Sequence, residues 1–597
     1  MAWRLHALGS CALVLLVACS VADRSQEGHA QLSLHDKAAE ILRMAREAAA
    51  LIEDGHDHSL NLSEIASLQA KAGRFSDALA TARQIEDASL RTSALRWVAE
   101  AQTQAGRFTD ALATAREIED AGLRAALHVD IAAAQAEAGQ FSDALATAGQ
   151  IEADGWRALA LREIALAQSE AGRERDADAT FLGAVAAARQ IANADSRASV
   201  LREIAAAQAE AGRKEDAQVT FEGARAAARQ IADANFRAFA LREIAAAQAK
   251  AGSNEVADAT FSDAVAAARQ ITIATARASA LRVIATAQAK AGRFSDALAT
   301  VRQIEHASPR IYALGDIVAI QAEARRFSDA LATAHQIDRT DVRSEALRNI
   351  AAAQAKAGRI SDALATARHI ELADWHDSAL LEVAVAQAAA GRFSDALIVA
   401  RQIESDDPRA CVLRKIAAAQ AKAGREDDAD ATFSDAVIAA RRIEHGYRRA
   451  RVIGEIAAAK AKAGRVEDAA ATFADAVAVA SQIDVADSRA SALGEIATAQ
   501  AKAGRFSDAL ATARQIEVSY RRGSALREIA AAQAETGRVE DALALAKVIQ
   551  QSEGQTAYVR ALIAIAEALI GADGSEEEGV EDDARCRIPT LEGIVNY

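Results

Sequence analysis

Apolar positions in this chain recur at helical spacing on both sides of a short polar turn. In residues 277–309, Leu281 and Ile284 share one helical face before the turn, and Phe294 and Leu298 share one after it. The pattern predicts two short helices whose apolar faces close on each other. One such hairpin cannot cover both faces, so we expect copies of it to stack and bury a continuous core.

The hairpin is repeated along nearly the whole chain. Its turn residue recurs at intervals of 33 or 40 residues and at no other spacing, and Arg325 once replaces the glycine. The five longer units carry seven extra residues, close to two helical turns, which we place in the second helix. The turn glycines are Gly73, Gly106, Gly139, Gly172, Gly212, Gly252, Gly292, Gly358, Gly391, Gly424, Gly464, Gly504 and Gly537, and the longer units follow Gly172, Gly212, Gly252, Gly424 and Gly464.

Composition supports an all-α fold. The chain is 51% apolar but only 4% aromatic, so its core consists mainly of Ala with Leu, Ile and Val, and Pro occurs three times in 597 residues. Small side chains let helices approach closely, and stability then comes from summing many similar interfaces. We therefore predict an α-solenoid of about 15 stacked units.

The columns around the turn resemble the tetratricopeptide repeat. The first aromatic of that family is matched by Phe75, Phe108, Phe141, Phe294, Phe327, Phe393 and Phe506, and the second by Phe181, Phe221, Phe261, Phe433 and Phe473. The resemblance covers residues 35–570 and implies a right-handed superhelix. Helices over 37–54 and 556–570 lack the full unit, and we expect them to cap the two ends of the stack. Pentatricopeptide and HEAT-type solenoids are the alternatives.

The N-terminus has the pattern of a secretory signal. Residues 1–18 contain an apolar run too short to span a bilayer, and Leu16 to Cys19 resemble the lipobox of bacterial lipoproteins. The resemblance implies a mature N-terminus at Cys19 that carries lipid (palmitate among its acyl chains), a tether over 19–34, and an outer-membrane location facing the periplasm. The alternative is cleavage after Ala22, which would release a soluble secreted protein.

Charge excludes one class of partner and marks the C-terminus. The formal net charge is −15, whereas a nucleic-acid-binding protein normally has a basic excess. Residues 571–597 hold eight carboxylates against two arginines. We expect this acidic segment to be disordered because it has too little apolar surface to fold.

The resemblance also implies a ligand groove lined by the first helices. The position ten residues before the turn forms a ladder of guanidiniums suited to carboxylates or phosphates, unless each one pairs with a neighbouring Glu, which we favour. The position thirteen before the turn carries Phe239 and Tyr312, for which packing is the alternative role. The arginines of the ladder are Arg96, Arg162, Arg202, Arg242, Arg282, Arg348, Arg414 and Arg527.

Three other features have structural explanations that we favour. A second Arg column opens the first helices and is expected to pair with acidic residues such as Glu86 or Asp87. A Gln column on the apolar side is expected to form a ladder that joins units. The cluster from Asp54 to His58 lacks a further metal ligand. A disulfide between Cys411 and Cys586 remains open.

The sequence contains no nucleophile–base pair, phosphate loop or Cys-x-x-Cys motif, so we predict neither catalysis nor a cofactor. The first hypothesis is a membrane-anchored scaffold that holds a protein or peptide along its groove. The second is a regulatory or assembly subunit of an envelope enzyme or export complex. A weaker third is a surface for anionic glycans or phosphates.

Overall fold

The protein is described by a computed structural model over residues 33–572, and within that range its regular secondary structure is entirely α-helical. Long first helices alternate with second helices of variable length. The first helices are α2 (Gly55–Lys71), α4 (Ala88–Gln104), α6 (Ala121–Glu137), α8 (Asp154–Glu170), α10 (Ala194–Glu210), α12 (Ala234–Lys250), α14 (Ala274–Lys290), α16 (Ala307–Glu323), α18 (Thr340–Lys356), α20 (Ala373–Ala389), α22 (Asp406–Lys422), α24 (Gly446–Lys462), α26 (Ala486–Lys502), α28 (Ser519–Glu535) and α30 (Gln555–Ala572).

The second helices fall into two length classes, as the two repeat lengths predict. Those of most 33-residue units have eight or nine residues, and those of the 40-residue units have 16 or 17. The second helices are α1 (Leu34–Ala49), α3 (Phe75–Ala82), α5 (Phe108–Ala115), α7 (Phe141–Gly149), α9 (Glu174–Gln190), α11 (Lys214–Arg229), α13 (Asn254–Arg269), α15 (Phe294–Val301), α17 (Phe327–Ala334), α19 (Ile360–Ala367), α21 (Phe393–Ala400), α23 (Glu426–Arg441), α25 (Val466–Ser481), α27 (Phe506–Ala513) and α29 (Val539–Glu553).

Each turn ends its first helix in a left-handed residue, which explains the glycine column. At Gly73 the φ angle is +71°, its N–H donates to the Ala70 carbonyl at 2.9 Å, and the Arg74 N–H donates to the Gln69 carbonyl at 2.8 Å. These two bonds form a Schellman motif, which satisfies carbonyls left over at a helix end. Arg325 adopts the same left-handed conformation with φ +58°. This conformation is strained for a residue with a side chain, because its Cβ lies too close to the following carbonyl oxygen.

Small and aromatic columns fill the core as the sequence predicts. The alanines five residues after the turn, such as Ala78 and Ala111, are fully buried where the two helices meet. The aromatics of the long units, such as Phe181 and Phe433, are at most 1% exposed. The core is therefore a run of close Ala contacts, and the long units add an aromatic at each step.

Curvature places the first helices inside and the second helices outside. Each first helix packs against the first helix of the next unit, as α2 does on α4 and α14 does on α16. Neighbouring second helices make far fewer contacts with each other. Side chains on the free face of the first helices therefore line the concave surface.

The two terminal helices close the array into a ring. α1 packs on α30 as a second helix packs on its first helix, and α30 also contacts α28 on one side and α2 on the other. The side-chain amide of Gln555 donates to the Ala48 carbonyl at 2.8 Å, and Arg560 pairs with Asp57 at 3.5 Å. The described chain thus forms fifteen hairpins, of which the last is assembled from both ends.

The closure corrects one expectation and explains another feature. The helices predicted to cap opposite ends instead pair with each other. Each has an apolar face, and these two faces close on each other as the first and second helices of every other hairpin do. The helices otherwise form the all-α solenoid of stacked hairpins that the sequence predicts. Among the described helices, α30 is the one long and apolar enough to cross a membrane. Its apolar residues, including Val559, Leu562, Ile565 and Leu569, are buried by the closure.

Candidate functional site

The candidate site is the inner wall of the ring. A cavity where the two ends of the chain meet shows which positions of the first helices line this wall. This cavity of about 990 Å³ is lined from α28, α30 and α2 by side chains that include Arg527, Glu528, Arg560, Glu567 and Glu64. Positions are counted back from the turn residue, or from the equivalent point after α30. On this count Arg560 is at position 13, Arg527 at position 10, Glu528 and Glu64 at position 9, and Glu567 at position 6. We define the inner wall as positions 13, 10, 9, 6 and 2 before the turn in the fifteen first helices.

The predicted arginine ladder lies on this wall, where seven of its arginines pair with carboxylates and Arg348 lies over the Trp375 ring. Arg162 contacts Glu163 in its own helix and Glu203 in the next unit, the latter at 3.0 Å. Arg282 contacts Asp316 of the next unit at 2.9 Å. Some pairs therefore join adjacent units, as favoured from the sequence, and others stay within one helix. Further pairs are Arg96 with Glu100 (3.4 Å), Arg202 with Glu203 (3.2 Å), Arg242 with Glu243, Arg414 with Glu455 (3.7 Å) and Arg527 with Glu528 (3.4 Å).

The two predicted aromatics stand on the wall beside ladder arginines. Phe239 is 57% exposed, and the Arg242 guanidinium lies 4.5 Å from the centre of its ring. Tyr312 is 38% exposed, with the Arg282 guanidinium 5.6 Å from its ring centre. Cations over aromatic faces are attracted to the ring quadrupole. The structure thus brings together four of the predicted site residues as a surface of two arginines and two aromatics on α12, α14 and α16.

A second part of the wall carries an excess of cations. We call the inner-wall positions of α18, α20, α22 and α24 the basic sector. Arg348 lies 5.4 Å over the Trp375 ring in this sector, and Cys411 occupies a thirteenth-before position on α22. The sector holds seven cations, Arg348, Lys356, Arg414, Lys415, Lys422, Arg451 and Lys462, and three carboxylates, Glu345, Glu382 and Glu455.

The wall on both sides of the closure has the opposite balance. We call the inner-wall positions of α28, α30, α2, α4 and α6 the closure sector. Loss of water within the concave wall raises the pKa of Glu64, and Glu567 raises it further. Loss of water also raises the pKa values of Glu100 and Asp130. The sector holds seven carboxylates, Glu64, Glu100, Asp130, Glu137, Glu528, Glu535 and Glu567, and four cations, Lys71, Arg96, Arg527 and Arg560.

The Gln column is buried, but it joins helices within a unit rather than joining units. In six short units the Thr twelve residues later donates its hydroxyl to the Gln Oε1, as Thr81 does to Gln69 at 2.8 Å. In the long units the equivalent Thr bonds its own helix, as Thr260 does to the Val256 carbonyl. The ladder predicted between units is therefore wrong, because the Thr partner lies in the same hairpin.

The arginines of the second Arg column donate to backbone carbonyls at helix ends, and six of them also pair with carboxylates. These six are Arg157, Arg277, Arg343, Arg409, Arg489 and Arg522. Arg91 donates to the carbonyls of Ile85 and Glu86 at 2.8 and 3.2 Å, and Arg124 repeats the bond to Ile118 at 2.7 Å. Cations at a helix C-terminus satisfy its free carbonyls and its dipole. At Arg91 the partners are therefore backbone carbonyls and not the side chains of Glu86 or Asp87, whereas at Arg157 and Arg409 the predicted kind of pair forms with Asp154 and Asp406.

A column of turn arginines has a role that the sequence analysis missed. Arg107 pairs with Asp110 of its own unit at 2.6 Å and lies 5.2 Å over Phe75 of the preceding unit. Where the preceding unit is a long one, the arginine at this position can pair with that unit, as Arg213 does with Asp178 at 2.5 Å and Arg293 does with Asp258. This column could have been recognised from the sequence, since an Arg directly follows twelve of the fourteen turn residues.

The remaining predicted features are structural or lie outside the described residues. Asp54 caps α2 by accepting from the backbone of His56 and Asp57, and His58 bonds the Ala49 carbonyl. Among the described residues no group of three or more His, Cys, Asp or Glu is placed to hold a metal. The predicted lipid site Cys19, the predicted signal peptide and residues 573–597 lie outside the described range, whereas 571 and 572 still belong to α30.

Comparison with known proteins assigns no family to this chain. No protein family matches the sequence, and no curated protein is similar to it. Several solved structures match weakly. The maize pentatricopeptide repeat protein PPR10 is 14% identical with a TM-score of 0.26, over 91% of this chain and 93% of its own. The Cut9–Hcn1 structure is 13% identical with a TM-score of 0.22, over 91% and 96%.

A third match is shorter. The Rap protein complexed with Competence and Sporulation Factor is 13% identical with a TM-score of 0.22, over 53% of this chain and 98% of its own. The chain's own helices form an all-α solenoid of stacked hairpins over the described residues.

Proposed function

We propose that this protein is a non-catalytic scaffold that binds a protein or peptide segment against the inner wall of its ring. The observation that carries the proposal is the surface formed by Phe239, Arg242, Arg282 and Tyr312. Two partly exposed aromatics beside two arginines form the composition that dominates protein-binding hot spots. Small side chains around them, such as Ala246, leave room for an extended chain.

Binding of short synthetic peptides by fluorescence anisotropy tests this surface. Acidic peptides that contain an aromatic residue are expected to bind best, because their carboxylates replace the weak ion pairs of the ladder. Replacing Phe239 and Tyr312 together with Ala is expected to weaken binding by about tenfold or more. Phe236→Ala is the matched control, since Phe236 is equally exposed on α12 but lies outside the inner-wall positions. Equal losses in both variants would contradict the proposal.

The arginines are tested separately through salt dependence. Replacing Arg202, Arg242 and Arg282 with Ala is expected to weaken acidic-peptide binding more at low salt than at high salt, because salt screens exposed charges. Equal binding by wild type and variant at both salt concentrations would leave the ladder a structural feature. Competition by inorganic phosphate separates a peptide surface from one that takes any phosphate or anionic glycan.

We also propose that the scaffold is held at an envelope membrane through lipid on Cys19. The support is the short apolar run followed by the lipobox-like Leu16 to Cys19. Cys19→Ala is expected to move the protein from the membrane fraction to the soluble fraction, since stable anchoring needs more than one acyl chain. Unchanged fractionation would remove this part of the proposal and leave the binding surface untouched. Crosslinking in cells that recovers an enzyme would favour a regulatory subunit.

A further inference from the structure

We infer that a recess between α5 and α7, lined by Phe108, Gln140 and Asp143, binds the guanidinium group of an arginine in a partner polypeptide. The recess lies at the turns of two neighbouring hairpins and contains none of the inner-wall positions. It is therefore a second site, separate from the surface of the proposed function.

The turn arginines make one regular contact with the first aromatic of the preceding hairpin. In six hairpins the guanidinium lies 4.8–5.3 Å from the centre of that ring and 2.6–2.7 Å from the Asp three residues after the arginine. The ring face and the carboxylate both attract a cation. The six pairs are Arg107 over Phe75, Arg173 over Phe141, Arg326 over Phe294, Arg359 over Phe327, Arg425 over Phe393 and Arg538 over Phe506.

Phe108 is the exception among the seven first aromatics, all of which lie in the part of the chain that the structure describes. The turn residue that would cover its ring is Gln140, whose amide is uncharged. Asp143, three residues later, keeps the carboxylate and forms no ion pair with any described residue. A recess of about 570 Å³ lies here, lined by Phe108, Gln140 and Asp143 among others. The ring and the carboxylate of the repeated contact are thus both present, whereas the chain supplies no guanidinium between them.

The other turn without an arginine differs, because its carboxylates are missing as well. Ser253 takes the turn position, and Val256 stands where the other hairpins have Asp. A long unit can offer the following arginine a second acid, as Asp178 does for Arg213, but the equivalent residue before Ser253 is Gln218. The arginine and its acids are therefore lost together there. At Gln140 the arginine alone is lost, which leaves one unbalanced carboxylate beside an aromatic face.

The charges of the recess favour an arginine within a polypeptide over free arginine. The α-carboxylate of free arginine requires a cation nearby. Among the described residues that line the recess, Arg107 is the one cation, and it is already paired with Asp110 and stacked over Phe75. An arginine inside a chain brings its guanidinium without that carboxylate. Lysine fits less well, because its ammonium is a point charge and not a planar group that stacks on a ring.

Photo-crosslinking of a short peptide to the purified protein tests the recess. The probe is an acetylated and amidated alanine peptide with one arginine next to a photoleucine, and its matched control has citrulline, a neutral isostere, in place of arginine. Crosslinks are mapped by mass spectrometry. The arginine peptide is expected to label residues 106–150 about tenfold more than the citrulline peptide, because only a guanidinium pairs with Asp143. Equal labelling by the two peptides would overturn the inference.

A substitution that fills the recess from within gives the sharpest variant. Gln140→Arg copies the sequence of the neighbouring turns, so its own guanidinium is expected to cover Phe108 and to reduce labelling about tenfold. Ser253→Arg adds the same charge at the other exceptional turn and is expected to leave labelling within about twofold of wild type. Circular dichroism checks the fold of both variants. Unchanged labelling in Gln140→Arg, or an equal loss in Ser253→Arg, would contradict the site.

Competition separates the two sources of a guanidinium. N-acetylarginine amide, which lacks the α-carboxylate, is expected to compete with the probe better than free arginine does. Better competition by free arginine would overturn the polypeptide partner. The double replacement of Phe239 and Tyr312 is expected to leave this labelling unchanged, so a failure of the proposed function and a failure of this inference give different results.

Discussion

The closure sector and the basic sector are built from the same hairpin, and the largest difference in charge between them is at one column. Two residues before the turn, the basic sector carries Lys356, Lys422 and Lys462. The same position in the closure sector carries Glu137, Glu535 and one cation, Lys71. The ladder position, ten residues before the turn, has two arginines in each sector, so it does not account for the difference in charge.

The difference shows that the repeat separates packing from surface chemistry. Ala and Gly columns hold the hairpins together in both sectors, whereas the inner-wall positions vary without disturbing them. The closure sector also contains the one unit made from two separate pieces of chain. The hairpin formed by α1 and α30 is therefore held together only by the packing of these two helices, because no turn connects them.

The largest expected effect comes from breaking the closure. Leu42→Ala on α1 removes a fully buried side chain at the α1–α30 interface and is expected to cost about 2–5 kcal/mol. Because the chain is not continuous there, hydrogen exchange should rise in α1 and α30 while α22 in the basic sector stays protected. Leu51→Ala is the control, since Leu51 is 70% exposed. A uniform rise around the ring would contradict the local opening.

A smaller effect is expected from adding a ladder arginine on α26, the first helix that lies between the basic sector and the closure sector. Gly494 on α26 occupies the ladder position, and a Cβ there would meet only Ile516 at 4.0 Å. Gly494→Arg is expected to stabilise the protein by about 1 kcal/mol, because glycine is unfavourable inside a helix. The new guanidinium would stand beside Glu495, as Arg527 stands beside Glu528.

Gly494→Ala isolates the helix contribution from the ion pair. Thermal unfolding of the two variants should show Arg exceeding Ala by less than about 0.5 kcal/mol at low salt, and the excess should vanish at high salt. An arginine variant less stable than the alanine variant would show that this position on α26 excludes the cation for steric reasons.

Local periodicity was sufficient to predict the hairpin, its two lengths and the arginine ladder. Leu281 and Ile284 define one face, and the turn glycines fix the register of every unit from Gly73 to Gly537. These features depend on contacts between residues within about 40 positions of each other. The same sequence pattern therefore recurs in every copy of the repeat and can be recognised from the sequence. The expected chemistry of the turn also follows, since only a left-handed residue completes the cap.

The pairing of the two terminal helices and the sign of the net charge along the inner wall could not be predicted from local periodicity. Pairing of α1 with α30 joins residues about 500 positions apart, and nothing in either helix records the total curvature of the intervening units. The partner of Arg91 was missed because backbone carbonyls leave no trace in the side-chain pattern. The Gln–Thr bonds required the register of two facing helices, which only the packed hairpin supplies.

A modest effect is expected at the buried edge of the basic sector, where Lys460 replaces the Gln of the other units. Its ammonium donates to the Thr472 hydroxyl at 3.2 Å, and loss of water lowers the pKa of Lys460 below its ordinary value of 10.5. Lys460→Gln is expected to stabilise the protein by less than about 1 kcal/mol at neutral pH, because it removes a charge from a half-buried site.

The pH dependence of this gain has a defined direction. A lysine whose folded pKa is lowered costs stability while it is charged, and that cost is relieved as pH rises through the lowered pKa toward 10.5. The advantage of the Gln variant in denaturant unfolding should therefore shrink at alkaline pH. An advantage that grows with pH would contradict this account. Gln420→Lys on α22 is the reciprocal variant and should lose stability with the opposite trend.

The smallest expected effect is at Asp130, where the missing ladder arginine leaves a carboxylate in the closure sector. Loss of water and the nearby Glu163 raise its pKa above the ordinary 3.8. The charged form is then disfavoured in the folded state, so Asp130→Asn is expected to gain about a few tenths of a kcal/mol at pH 7. That gain should disappear as pH falls through the raised pKa toward 3.8, where the wild-type group is protonated. In a Glu163→Gln background the gain should be smaller, and an unchanged gain would show that the neighbouring charge has no part in it.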